Sequence, residues 1–329
     1  MDERSFGNTD LKVSALGLGT GRLGAALKQG TDRDTIVMLQ EALDCGVTFY
    51  DTADSYGQGK SEELIGRAFK GRRDQVVLAT KTGYRLSSAA GVAARLKPVL
   101  RPLLRSLKPL RRVAASARSS QMSQDFSPAH VNEAIDGSLR RLQTDRVDLY
   151  QLHSPPTAAL RAGEVFAVLD ALRSAGKVRY YGVSCLTVED AALALRHPGV
   201  SAVQVTINLL EPQAVDTLLP LARERGTAVI ARQPLAGGLL AQSESEILAQ
   251  AAVVDRDQLR QELRAAAAFG FLASGSRSLV QAAIQFVLSQ DGVSVVLPGI
   301  SSVSHLREAV GALTAPPLTT QELAMIKAV

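Results

Sequence analysis

The 329-residue sequence predicts a (β/α)8 barrel of the α/β class, and three observations predict it. Eight short, β-rich apolar runs alternate with helical segments, the pattern of parallel strands joined by crossover helices. Several helical segments end at a glycine that precedes the next run, at Gly46, Gly176, Gly226 and Gly292. Residues able to do chemistry follow many different runs, as at the mouth of a closed barrel; an open doubly wound sheet gathers them at one switch point.

The opening segment, 4–13, reads as a short hairpin that closes the barrel floor, with Asn8-Thr9-Asp10 as its turn. The eight strands are expected at 15–18, 47–50, 76–80, 148–152, 180–183, 202–205, 228–230 and 293–297. Between them, helices are expected at 31–45, 62–69, 128–142, 163–174, 188–195, 215–225 and 277–289. In the third of these, Val131, Ile135, Leu139 and Leu142 recur at helical spacing and give one apolar face. No internal repeat goes beyond the strand–helix alternation, and the chain is expected to form a single domain over 1–329. Two stretches exceed ordinary connections, at about 83–126 after strand three and about 239–276 after strand seven. Long loops on this face usually serve function or are disordered.

At 46% hydrophobic residues the chain can bury a large core. Its net charge of +5 is not evenly spread: Arg85 to Arg118 holds nine Lys or Arg and no acid, so the rest of the chain is net acidic. A basic balance confined to one segment is a weak case for nucleic acid, and none is expected as a partner. No apolar run is long enough for a transmembrane segment. Met1-Asp2-Glu3-Arg4 carries charge and no apolar stretch, so a secretory signal is not expected. Cys45 and Cys185 form neither a metal-ligand spacing nor a disulfide framework, which makes a reducing, cytoplasmic setting the expectation. Cys45 falls on a helical face as a core residue. Cys185 has no base partner that would make it a nucleophile.

The residues Phe49-Tyr50-Asp51-Thr52-Ala53-Asp54-Ser55-Tyr56-Gly57 follow strand two, Lys81 closes strand three and His153 closes strand four. In a barrel the ends of adjacent strands converge, so an acid, a phenol, an ammonium and an imidazole would meet there. That set suits reduction of a carbonyl, which needs a hydride and a proton for the developing alkoxide. A free phenol, with a pKa of about 10, is a poor proton shuttle near neutrality, and a neighbouring ammonium favours the phenolate.

In these segments, and in this order, the chain resembles the aldo-keto reductase family. The resemblance covers nearly the whole chain, from Gly17-Leu18-Gly19-Thr20 to Pro298-Gly299. It implies a catalytic tetrad of Asp51, Tyr56, Lys81 and His153. Tyr56 would transfer the proton, Lys81 would favour its phenolate, Asp51 would hold Lys81 charged, and His153 would place the substrate oxygen. It also implies a nicotinamide cofactor, NADP(H) in preference to NAD(H), held by Gly19, Thr20 and Asp51 at the mouth. Ser184 and Gln204 would meet the carboxamide, with Cys185 standing where the family usually has Asn and Ile207 where an aromatic commonly stacks on the ring. Gln233, Pro234, Leu235, Gly237 and Leu239 resemble the loop that follows the pyrophosphate. Gly299, Ser301, His305 and Glu308 resemble the loop and helix start that take the adenosine end. Ser301 replaces a residue that is often basic, and Arg307 is a candidate substitute for it.

Arg95 to Arg112 alternates aliphatic pairs with cations and is broken by Pro98, Pro102 and Pro109. Three readings are open: a solvated lid; a lid whose arginines draw in an acidic or phosphorylated substrate; a contact with a membrane surface or partner. With no Trp in the chain, an aromatic pocket wall would come from residues such as Tyr84 or Phe126. The stretch 315–329 is too short for a large C-terminal substrate loop. The expected function is interconversion of an aldehyde, ketone or sugar lactol with its alcohol or oxidised partner. The alternative is a nicotinamide-binding regulatory subunit with little turnover.

Overall fold

The computed structural model describes Met1 and residues 3–21, 31–86, 122–250 and 256–329. A hairpin of β1 (Glu3–Ser5) and β2 (Lys12–Ser14) opens the chain, with Arg4 paired to Val13. Then come the parallel strands β3 (Gly17–Gly19), β4 (Phe49–Asp51) and β5 (Val77–Thr82). A small antiparallel pair follows, β6 (Tyr84–Leu86) with β7 (Met122–Gln124). The parallel series resumes in β8 (Val147–His153), β9 (Val178–Ser184), β10 (Val200–Thr206), β11 (Ala228–Arg232) and β12 (Val293–Leu297).

Eight strands pair in the order β3-β4-β5-β8-β9-β10-β11-β12. The two ends of that sheet meet: Leu16 bridges Val296 in parallel, and the Val296 N–H donates to the Ala15 carbonyl at 2.9 Å. The barrel expected from the alternation is therefore present, each strand overlapping its predicted run. The helices also fall as the periodicity places them, and their starts are chemically marked. Thr31 caps Asp32–Asp44 in a capping box with Asp34, and Ser278 does the same for Leu279–Leu288 with Gln281. Ser127 caps Pro128–Leu142, where Pro128 takes the first turn in which its missing N–H costs nothing.

Most of the basic insertion lies outside the described residues; its flanks are β6 and β7. Among its described residues, the stretch after β11 includes the α-helices Glu244–Gln250 and Arg256–Ala267. Among the described residues no helix is long and apolar enough to cross a membrane.

Two apolar layers result. The larger lies between barrel and helices and takes the outward residues Tyr50, Leu78, Tyr150, Leu152, Val203 and Val205. The smaller fills the barrel with Phe49, Val77, Ala79, Leu149, Ala202, Ala228, Ile230 and Val295, floored by Phe6, Leu11 and Val13 of the hairpin. The hairpin tip sits hard against the strand-seven turn. The Asn8 N–H donates to the Gly226 carbonyl at 2.7 Å. Gly7, at φ +58°, would drive a Cβ to 2.5 Å from that same oxygen.

The interior layer determines what reaches the mouth, because strand side chains alternate with period two. With Phe49 inside, Asp51 is inside. With Val77 and Ala79 inside, so is Lys81. Leu149 sets Gln151 and His153, Ala202 sets Gln204, and Ala228 and Ile230 set Arg232. On β4, β5, β8, β10 and β11 the inner face thus begins apolar at the floor and turns polar near the C-terminal end.

Candidate active site

Polar groups carried this deep are tolerated only if they are paired. Lys81 is fully enclosed. Its ammonium pairs with Asp51 Oδ1, donates to the Thr52 carbonyl at 2.9 Å and donates to the Tyr56 hydroxyl at 3.4 Å. Burial would push this ammonium down, but the charge of Asp51, followed by that of Tyr56, outweighs it and holds Lys81 above the ordinary lysine value. The other oxygen of Asp51 accepts from Gln151 Nε2 and from Gln204 Nε2, each at 3.0 Å. Ser184 Oγ donates to Gln204 Oε1 at 3.2 Å. Five strands, β4, β5, β8, β9 and β10, are tied to one another through this single carboxylate and its partners.

Tyr56 stands on the turn that follows β4. Its N–H donates to the Ala53 carbonyl at 3.1 Å, and the Asp54 N–H donates to the Lys81 carbonyl at 3.2 Å, fixing the turn to strand three. The ring is half-buried, between Gly21 and His153. A Cβ at Gly21 would lie 3.3 Å from Tyr56 Cζ, and the His153 ring meets Tyr56 edge-on at 5.7 Å. Tyr84 packs against the other side of His153, edge-on at 4.9 Å. Burial, then the charges of Lys81 and Arg232, push His153 down to about 3, so its imidazole is neutral near neutrality. His153 Nδ1 is buried without a hydrogen-bond partner among the described residues.

The helix Lys60–Ala68 supports this turn. Glu62 is enclosed and accepts from Thr80 Oγ1 at 2.6 Å and Arg141 Nε at 2.7 Å. On the turn itself, Asp54 is buried near Glu62, and burial and then the charge of Glu62 push its carboxyl up to about 7.

The remaining expected positions separate into three groups. Gly19, Ser184 and Gln204 border the tetrad, and Thr20 lies just behind it with its hydroxyl committed to the Asp51 carbonyl at 2.9 Å. Gln233, Leu235, Gly237 and Leu239 follow β11, where Pro234 is buried. Leu239 and Glu308 line a cavity of about 290 Å³ together with Leu240, Gln242, Ser278 and Leu279, and Ser278 donates to Glu308 at 3.0 Å. Ser301 Oγ, just before the helix Val303–Gly311, lies 3.1 Å from Nδ1 of His305 in its first turn, and Ser302 caps that helix. A Cβ at Gly299 would meet nothing within 4 Å, so there is open space beside that residue.

Two expected contacts are not presented to the mouth. Ile207 is fully enclosed in the layer between barrel and helices. The Cys185 side chain lies in that same layer, its thiol pushed up by burial, so only its backbone faces inward. Arg307 is turned to Glu41, donating at 2.9 and 3.1 Å. Sequence reasoning missed Gln151 and Arg232. Both were accessible to it: Gln151 sits two residues before His153 on the same strand face, and Arg232 is the polar residue that ends an otherwise apolar strand.

A sequence model described as "Aldo/keto reductase family" matches residues 15–329. The aldo-keto reductase YhdN of Bacillus subtilis (strain 168) is 29% identical over 336 residues, covering 98% of this chain and 91% of that protein. Among solved structures, aldo-keto reductase AKR11C1 from Bacillus halodurans (holo form) is 29% identical with a TM-score of 0.77, covering 100% of this chain and 96% of that one. An aldo/keto reductase from Klebsiella pneumoniae in complex with NADP and acetate is 25% identical with a TM-score of 0.68, covering 100% and 95%.

Proposed function

The chain belongs to the aldo/keto reductase family and is an oxidoreductase, and from that premise we propose that it interconverts an aldehyde, ketone or sugar lactol with its reduced or oxidised partner, using NADP(H). The observation that carries this reading is the chain of contacts from Asp51 through Lys81 to the Tyr56 hydroxyl, with neutral His153 beside the phenol ring.

The residues present fit a nicotinamide dinucleotide. The open space beside Gly299, the capped helix start at Ser302 and the cavity between Leu239 and Glu308 suit phosphates and an adenosine end. Ser184 and Gln204 supply a hydroxyl and an amide at the mouth for the carboxamide. The Klebsiella relative binds NADP, which supports NADP(H) here. When bound, the cofactor supplies or accepts the hydride at the carbonyl carbon.

The side chains handle the proton. A carbonyl oxygen seated between Tyr56 and His153 accepts a hydrogen bond from the neutral imidazole, which orients it. As negative charge develops on that oxygen, the Tyr56 hydroxyl gives up its proton, and the phenolate left behind is stabilised by Lys81 Nζ at 3.4 Å. Asp51 keeps Lys81 protonated, and Gln151 and Gln204 hold Asp51 in place. Oxidation runs the same path backwards. The test is loss of reduced-nicotinamide absorbance with a panel of aldehydes and ketones, with NADPH and NADH compared; absence of turnover with both would overturn the proposal.

A further inference from the structure

Arg232 closes β11, and the alternation that puts Ala228 and Ile230 inside the barrel puts its guanidinium inside the mouth. It is mostly buried yet poorly satisfied. Nη2 donates to the Cys185 carbonyl at 3.2 Å, while Nε is buried with no hydrogen-bond partner among the described residues. Among the described residues no carboxylate lies within 4 Å of it. The acids near enough to act on it are Asp51, already paired with Lys81, and Glu211, which accepts from Asn208 at 3.2 Å.

The charge balance of the mouth follows. Lys81 and Asp51 cancel, His153 is neutral, and among the described residues Arg232 has no paired carboxylate beside Tyr56 and His153. A buried cation with an idle donor is costly unless a ligand completes it. A guanidinium is also the side chain whose fork matches a carboxylate or phosphate in two parallel hydrogen bonds.

We propose that Arg232 is a specificity-determining residue, and that the preferred substrates are carbonyl compounds carrying an anionic group that docks on its guanidinium while the carbonyl lies between Tyr56 and His153. This rests on the reductase reading above and deepens it. Arg232 takes no part in hydride or proton transfer; it positions the substrate and favours the acid over its neutral ester.

The test uses aldehyde acids paired with their methyl esters, namely glyoxylate, succinic semialdehyde and 4-carboxybenzaldehyde, on the wild type, Arg232→Gln and Arg232→Lys. In at least one pair the wild type should prefer the acid, and Arg232→Gln should lower kcat/KM for that acid by about 10- to 100-fold. The ester should change far less, and Arg232→Lys should restore part of the acid preference. Binding without turnover gives a second readout. Calorimetric titration of the NADP-loaded protein with 4-carboxybenzamide against benzamide should show a preference for the acid that Arg232→Gln removes, while NADPH fluorescence titration shows unchanged cofactor affinity. Equal use of acids and esters by the wild type in all three pairs would overturn the proposal while leaving the reductase reading intact. So would loss of cofactor affinity in Arg232→Gln, which would assign the guanidinium to a cofactor phosphate. No turnover of any aldehyde, acid or ester, would instead overturn the reading beneath it.

Discussion

The ammonium of Lys81 lies 3.4 Å from the hydroxyl of Tyr56, and among the described residues it is the only side chain that donates to that hydroxyl. The same ammonium is enclosed against Asp51, so under the proposed mechanism one buried ion pair would serve both proton transfer and the stability of the barrel mouth.

Lys81→Met should therefore lose both. Turnover should fall by roughly 10²–10⁴-fold, the usual value of a positioned proton-transfer system. The abandoned Asp51 carboxylate should also lower stability by about 3–5 kcal/mol. Adding Asp51→Asn to Lys81→Met removes the uncompensated charge, so the double variant should regain much of the Tm and none of the activity. Thermal unfolding and kcat measured side by side check this.

Asp54 gives a pH signature with one sign. Its folded value is about 7 against an ordinary 3.8, so the folded chain binds the extra proton and stability falls as pH rises from about 4 to about 7. Asp54→Asn should raise Tm relative to wild type at pH 8 and bring little change at pH 4. A Tm difference that is the same at both pH values would contradict the placement of this carboxyl.

His153 gives the opposite sign. It is neutral in the folded state down to about 3, while the unfolded chain protonates it near 6.5. Stability should fall as pH drops from about 6.5 toward 3, by at most about 1.4 kcal/mol per pH unit for one proton. His153→Gln should flatten that fall, measured as denaturant midpoints between pH 4 and pH 7. Between about 4 and 6.5 the Asp54 and His153 effects oppose each other, so each is read best in its own variant.

Much of this site was legible because strand alternation and barrel closure are both visible in a linear pattern. An apolar residue two before Asp51, and two and four before Lys81, already implies which face each polar residue takes. The partners of these groups were harder to see. Gln151 and Arg232 each stand alone on a strand, and their meaning comes from neighbours on other strands. Ile207 and Cys185 follow their strands in places where motif correspondence suggested contact with a ligand, but the chain turns both outward into the helix layer. Arg307 was a plausible anion ligand until its helix brought it to Glu41, a contact 266 residues away in sequence. The basic segment 85–118 lies almost wholly outside the described residues.

The most direct test of the central claim is Tyr56→Phe beside the wild type, with NADPH binding followed by fluorescence and turnover followed on a panel of aldehydes and ketones. The contacts among Asp51, Lys81 and His153 predict that binding persists within a few-fold while turnover falls by roughly 10²–10⁴-fold. Turnover equal to wild type would show that the proton comes from elsewhere and would contradict the role given to Tyr56.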